Sequence, residues 1–125
     1  ITKVYVASTS QRKILGFAYM GPCRDGDLVE QDVFELYAIY LSPEVWGKGI
    51  GGKLLNAAVA EMPDTSRSIS LWVLSGNLRG RAFYESHGFE PDGESKMANL
   101  LGYQLEEVRY RKNLPLLRRL LSTRS

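Results

Sequence analysis

Hydrophobic and polar positions alternate with a period of two over Lys3–Ser8, with Val4 and Val6 set against Lys3 and Tyr5, which predicts a strand. A polar turn at Ser10-Gln11-Arg12-Lys13 leads into a second strand over Ile14–Gly21, so the pair reads as a hairpin. Pro22–Asp27 reads as a loop with a turn at Asp25-Gly26, and Phe34–Leu41, rich in aromatic and branched residues, as a third strand. The period then becomes helical. Leu54, Leu55, Ala58, Val59 and Met62 fall on one face of a helix over Gly51–Met62, and Pro63 prevents it running on. Ser68–Leu74 is a strand; Asn77 is placed to cap a helix over Leu78–His87, and Gly88 sits where a left-handed stop is expected. Phe89 opens a short strand, Pro91–Leu101 reads as a loop, and Leu105–Lys112 is the last strand. Leu116, Leu117, Leu120 and Leu121 share one short helical face. Strands and helices in this order predict an α/β fold built on one mixed sheet.

The segment from Glu35 to Leu55 carries the chemistry. A strand runs into the glycine-dense turn Trp46-Gly47-Lys48-Gly49-Ile50-Gly51-Gly52, and the turn runs straight into a helix. Backbone amides bared by glycine at a helix N-terminus, where the helix dipole is positive, suit a phosphate group. Three phosphate-binding patterns fit to different degrees. Gly47–Lys53 matches G-x-x-x-x-G-K, but Leu54 stands where a magnesium-holding Ser or Thr belongs. Gly47, Gly49 and Gly52 match G-x-G-x-x-G, but the next strand ends in Ser75-Gly76-Asn77 and offers no carboxylate for a ribose.

The third pattern is a resemblance. Trp46–Gly51 is similar to the Q/R-x-x-G-x-G/A coenzyme A motif of the GNAT N-acetyltransferase superfamily, with Trp46 in place of the leading Gln or Arg. The later run Leu71–Phe89 resembles that family's second signature: a strand, an Asn (Asn77), a helix carrying Phe83-Tyr84-Glu85, then Gly88-Phe89. Glu107–Lys112 is similar to the last strand of many members, so the resemblance covers roughly Lys3–Leu114. It implies a single GNAT-like domain over residues 1–114, without the first strand and first two helices with which complete members usually begin, followed by a basic extension over 115–125. The absent elements normally supply part of the acceptor wall, so the chain reads as a fragment, a trimmed member or one half of a two-piece protein.

The resemblance also implies an activity: an acetyl group passes from acetyl-CoA to a primary amine by direct transfer in a ternary complex. An alkyl ammonium has a pKa of about 10.4, so the reaction needs a proton acceptor, a donor for the oxyanion and a proton for the departing thiolate. Glu35, eleven positions before Trp46, matches the glutamate that several members use as base or to orient water, and Tyr37 on the same strand face is the reserve. Tyr84 matches the general acid and also contacts the cofactor. Ile39, Tyr40 and Leu41 resemble the strand end that offers backbone groups to the pantetheine arm, and Asn77 the side chain that hydrogen-bonds the same arm. The pyrophosphate would lie on Trp46, Gly47, Lys48, Gly49, Gly51 and Gly52, with Lys53 close by. The acceptor is an amine of a small molecule, a peptide or a protein. A homodimer is compatible with the family, and the rival reading is a non-catalytic acyl-CoA-binding or partner-binding module on the same fold.

Composition narrows this little further. At 125 residues the chain is at most one domain. No apolar run approaches the roughly 20 residues that span a bilayer, so no membrane partner is expected; the sequence starts at Ile1 rather than Met, so the lack of a visible signal peptide decides nothing. A single cysteine, Cys23, excludes an internal disulfide and suggests a reducing cytoplasm. His87, the one histidine, has no ligand at metal spacing, so no metal site is expected. The net charge of +2 hides an asymmetry: all 14 acidic residues precede residue 111, whereas Arg111, Lys112, Arg118, Arg119 and Arg124 follow with no acid. A basic tail can touch nucleic acid, but a solvated extension is the simpler reading and a nucleic-acid partner is not expected.

Overall fold

A computed structural model describes residues 2–28 and 31–115. The leucines at 116, 117, 120 and 121 and most of the basic extension lie outside the described residues. Six strands, β1 (Lys3–Ser8), β2 (Ile14–Pro22), β3 (Val33–Leu41), β4 (Ser68–Leu74), β5 (Glu90–Leu100) and β6 (Tyr103–Asn113), form one sheet in the order β1-β2-β3-β4-β6-β5. Only β3 and β4 are parallel, and they are joined by the helix α1 (Ile50–Ala60); α2 (Leu78–Ser86) joins β4 to β5. The mixed α/β sheet and the β1–β2 hairpin are those expected from the sequence.

Both helices lie on one face of the sheet. There Leu54, Leu55 and Ala58 of α1 pack with Ala18, Met20, Phe34, Leu36, Ile69, Leu71 and Val73, and Phe83 and Tyr84 of α2 pack against the same cluster. A bulge in β3 tunes this arrangement. Tyr19 pairs with Ala38 but Met20 with Leu36, so Tyr37 is the extra residue. Phe34 and Leu36 face the helices, Tyr37 shares the opposite face with Glu35, and beyond the bulge Ile39 returns to the covered side.

One expectation needs correction. Pro91–Leu101 is not a loop: Glu90–Leu100 is an eleven-residue edge strand, irregular between Pro91 and Ser95, and β6 is correspondingly longer than Leu105–Lys112. Its residues are almost all exposed on both faces, so no alternation marks it. The helix boundaries also moved slightly. The first begins at Ile50 and ends at Ala60, with Met62 buried just past its end, and the second ends at Ser86 with Gly88 at φ 88° as expected.

Candidate active site

The site begins where two strands part. β3 pairs with β4 only from Val33 to Leu36, opposite Ser68 to Leu71. Beyond that point β3 runs on through Tyr37, Ala38, Ile39, Tyr40 and Leu41 with no partner on its β4 side, while Trp72, Val73 and Leu74 pair only with β6. Among the described residues, the backbone groups along this slot have no strand to bind. Ile39, Tyr40 and Leu41 lie on its β3 edge.

The glycine turn closes the end of the slot. Gly47 and Gly49 adopt φ of +77° and +79°, a left-handed backbone natural to glycine, and a Cβ at either would meet nothing within 4 Å. Gly49 is the cap residue of α1 and no side chain among the described residues caps that end, so its first amides lack the partner a capping side chain would give. Lys48 and Lys53 are exposed beside them. Gly51 and Gly52 serve a different purpose. A Cβ at Gly51 would come within 3.1 Å of Phe83, and one at Gly52 within 2.9 Å of the His87 ring, so both glycines let α1 approach α2. His87, against Phe83 at 4.7 Å between ring centroids, is thus a packing residue at the helix end.

Trp46 is tied into this corner. Its indole N–H donates to the carbonyl of Leu41 at 2.9 Å, and the Arg79 guanidinium lies 4.1 Å from the ring centroid. The tryptophan that replaces a Gln or Arg in the motif therefore holds an arginine from the next helix beside the glycine turn. Sequence reasoning missed Arg79. The only available signal was the loss of a polar residue at position 46 together with a cation two residues into the following helix.

Asn77 caps α2, its Oδ1 accepting from the Gly80 amide at 2.9 Å, which leaves its Nδ2 donor out of the cap. Tyr84 is half-buried on the covered side between Phe83, Phe89 and Tyr110. Burial pushes its hydroxyl up to about 12, so it stays protonated at neutral pH.

Glu35 lies on the other face, against Ser70 of β4 at the base of the slot. It is only 2% exposed, and Arg24 binds it with its backbone N–H (2.9 Å), Nε (3.4 Å) and Nη2 (3.0 Å). Arg24 also stacks on Tyr37, 3.9 Å from the ring centroid, while the Tyr37 hydroxyl donates to the carbonyl of Pro22 at 2.6 Å. The loop that carries Arg24 is held by a second network. Arg109, buried on β6, binds Asp25, Asp27 and Asp92, and Trp72 donates its indole N–H to Asp25. Among the described residues Cys23, Asp25 and Glu35 bring metal-capable atoms within 4.8 Å of one another, but both carboxylates already face guanidinium groups. The Cys23 thiol lies 3.5 Å from the Ser70 hydroxyl, and no histidine accompanies it.

Comparison with known proteins follows the same lines. A family model described as "Acetyltransferase (GNAT) family" matches residues 2–89. A probable N-acetyltransferase of Mycobacterium tuberculosis is 33% identical over 98 residues, covering 78% of this chain and 53% of the relative. An uncharacterized N-acetyltransferase of Bacillus subtilis is 33% identical over 108 residues, covering 84% and 59%. The chain thus spans little more than half the length of these curated relatives. Among solved structures, a ribosomal-protein-alanine N-acetyltransferase from Brucella melitensis superposes with a TM-score of 0.74 at 26% identity, over 90% of this chain and 69% of that one. A phosphinothricin acetyltransferase from Sinorhizobium meliloti, solved in complex with AcCoA, does so with a TM-score of 0.71 at 27% identity, over 90% and 61%.

Proposed function

The chain belongs to the GNAT acetyltransferase family, and from that premise we propose that it moves an acetyl group from acetyl-CoA to a primary amine within a ternary complex. The observation that carries the proposal is the junction of the open β3–β4 slot with the unfilled glycine turn. An extended pantetheine arm, with amides along its length, suits the unpaired strand edge at Ile39–Leu41. A pyrophosphate suits the bare amides of Gly47–Gly52, with Lys48 and the Trp46-held Arg79 supplying positive charge. The Nδ2 of Asn77 is a donor for the same arm. AcCoA in the Sinorhizobium meliloti relative supports this choice of donor.

In the reaction proposed, the acceptor ammonium first loses a proton. Its nitrogen forms a bond to the thioester carbonyl and the C–S bond breaks; the acylated nitrogen gives up its remaining extra proton to solvent, and the departing thiolate takes a proton from Tyr84, which recovers one from solvent. The protonated state of Tyr84 at neutral pH suits this donation. Glu35 is the base in this scheme, and it can receive the amine's proton only after the Arg24 side chain moves aside. That lock favours the rival reading, a module that binds acyl-CoA without turning it over. The absence of any helix among the described residues long and apolar enough to cross a membrane bears on neither reading.

Calorimetric titration of the protein with acetyl-CoA tests the proposal, with NADH and ATP as controls. Saturable binding of acetyl-CoA alone is expected. Failure of the folded protein to bind it would overturn the assignment. Release of free CoA in the presence of an amine panel separates the enzyme from the binding module.

A further inference from the structure

The Arg24 side chain occupies a seat built for a cation. One wall is the Glu35 carboxylate, buried at 2% exposure, and the other is the face of Tyr37, the residue that bulges from β3 at the point where the slot opens. A buried carboxylate beside an aromatic face is a strong site for an ammonium or guanidinium group. Arg24 itself is 63% exposed, so its side chain reaches this seat from solvent and can leave toward solvent. The backbone around it cannot leave as easily. The amide of Cys23 donates to the carbonyl of Val33, Asp25 is bound by Trp72 and Arg109, and the Arg24 amide itself donates to Glu35. The seat therefore keeps its shape, and one hydrogen bond to its carboxylate, when the guanidinium swings out.

We infer that this seat is an acceptor subsite for an aliphatic ammonium group, and that Arg24 fills it in the unloaded protein as an internal competitor. The inference rests on the acetyl-transfer reading for the identity of the visitor as an acceptor. The acceptor class it names is an amine on a flexible alkyl chain, whose methylenes lie along Tyr37 and whose charge displaces Arg24 from Glu35. Binding and release of the internal guanidinium then frees the carboxylate only when a cation is present, which ties the exposure of Glu35 to acceptor arrival.

The test uses n-butylammonium chloride as probe, 1-butanol as the uncharged analogue and sodium chloride as the ionic-strength control. Arg24→Gln removes the competitor and should tighten n-butylammonium binding about tenfold relative to wild type. Adding Glu35→Gln to that variant should abolish the gain, and 1-butanol should bind neither protein. Equal affinity in wild type and Arg24→Gln, or equal binding of 1-butanol, overturns the inference. Should Arg24→Gln not fold, the wild type answers alone. Saturating n-butylammonium should shift the Arg24 Nε–H resonance toward its solvent-exposed position and perturb the Tyr37 ring protons, and unmoved signals overturn the inference. Acetyl-CoA titrated into the same wild-type sample keeps the two questions apart. Normal acetyl-CoA binding with no ammonium response removes the subsite and leaves acetyl transfer standing, whereas loss of acetyl-CoA binding counts against acetyl transfer itself.

Discussion

The two faces of the sheet are built on opposite rules. On the helix side, Phe34, Leu36, Ile69 and Leu71 are buried against α1 and α2, and every position reads as packing. On the other side, β1–β3 leave Val4, Val6, Phe17, Tyr19 and Tyr40 exposed, while the buried positions include Glu35, Ser68, Ser70 and Arg109 beside a small apolar cluster of Cys23, Leu28 and Val33. Large apolar side chains there lie in solvent while Glu35 and Arg109 are buried, against what burial alone would select. The two buried charged residues there are matched, Glu35 by Arg24 and Arg109 by three aspartates, whereas the neighbouring Arg111 buries its Nε without a hydrogen-bond partner among the described residues. The covered face therefore keeps the fold together, and the open face holds specific groups in specific places.

The sharpest way to break this comparison is to empty the covered face. Leu71→Ala should destabilise the protein by about 2–5 kcal/mol in denaturant unfolding, from lost burial and the cavity left behind. A smaller loss would mean that the core collapses onto the gap. Tyr84 belongs to the covered face but carries the proposed acid, so it sharpens the division. Tyr84→Phe keeps the ring and should lower turnover roughly 10²-fold with acetyl-CoA affinity nearly unchanged, measured by steady-state release of CoA. The same variant has a signature in stability. The unfolded tyrosine ionises near its ordinary value of 10.0, whereas folded Tyr84 holds its proton to about 12. Stability is thus retained below pH 10 and falls as pH rises toward 12, and Tyr84→Phe should flatten that fall.

Arg79, at the rim between the helices, should cost less. Arg79→Ala is expected to weaken acetyl-CoA binding about tenfold, and Arg79→Lys to restore only part of it, since a lysine stacks less well on Trp46. Undiminished affinity in the alanine variant would leave the phosphates to the backbone amides alone. The smallest effect belongs to the open face: Val6→Thr should change stability by no more than about 0.5 kcal/mol. A large loss there would show that something covers those strands in the protein as it works.

The same contrast explains what the sequence disclosed. The covered face was legible because its residues repeat at strand and helix periods, and Ser68–Leu74 and the Asn77 cap emerged with the bounds the structure gives. The glycine turn was legible because left-handed backbone leaves few alternatives to glycine. β5 was hidden because Glu90–Leu100 is an edge strand with Pro91 and Gly93 inside it and solvent on both sides. The open-face network was hidden for another reason. Arg109 meets Asp25 and Asp27 across more than 80 residues of sequence, and Arg24 meets Glu35 across a loop, so no local period records either pairing. Glu35 was recognisable as a candidate by its spacing from Trp46, but not that a guanidinium already held it.

Gly51 and Gly52 have a consequence of their own. They are the points at which α1 rests on Phe83 and His87, one residue before and three residues after Tyr84. With no side chain on α1 at these points, only the Phe83 and His87 rings separate the two helices, so the glycine turn sits one ring's thickness from the helix that carries Tyr84. A single methyl at either position would act as a shim, lifting one helix off the other and changing the reach between the two ends of a bound thioester. In the proposed reaction the pair of glycines would thus act as a length gauge for the acyl-CoA arm.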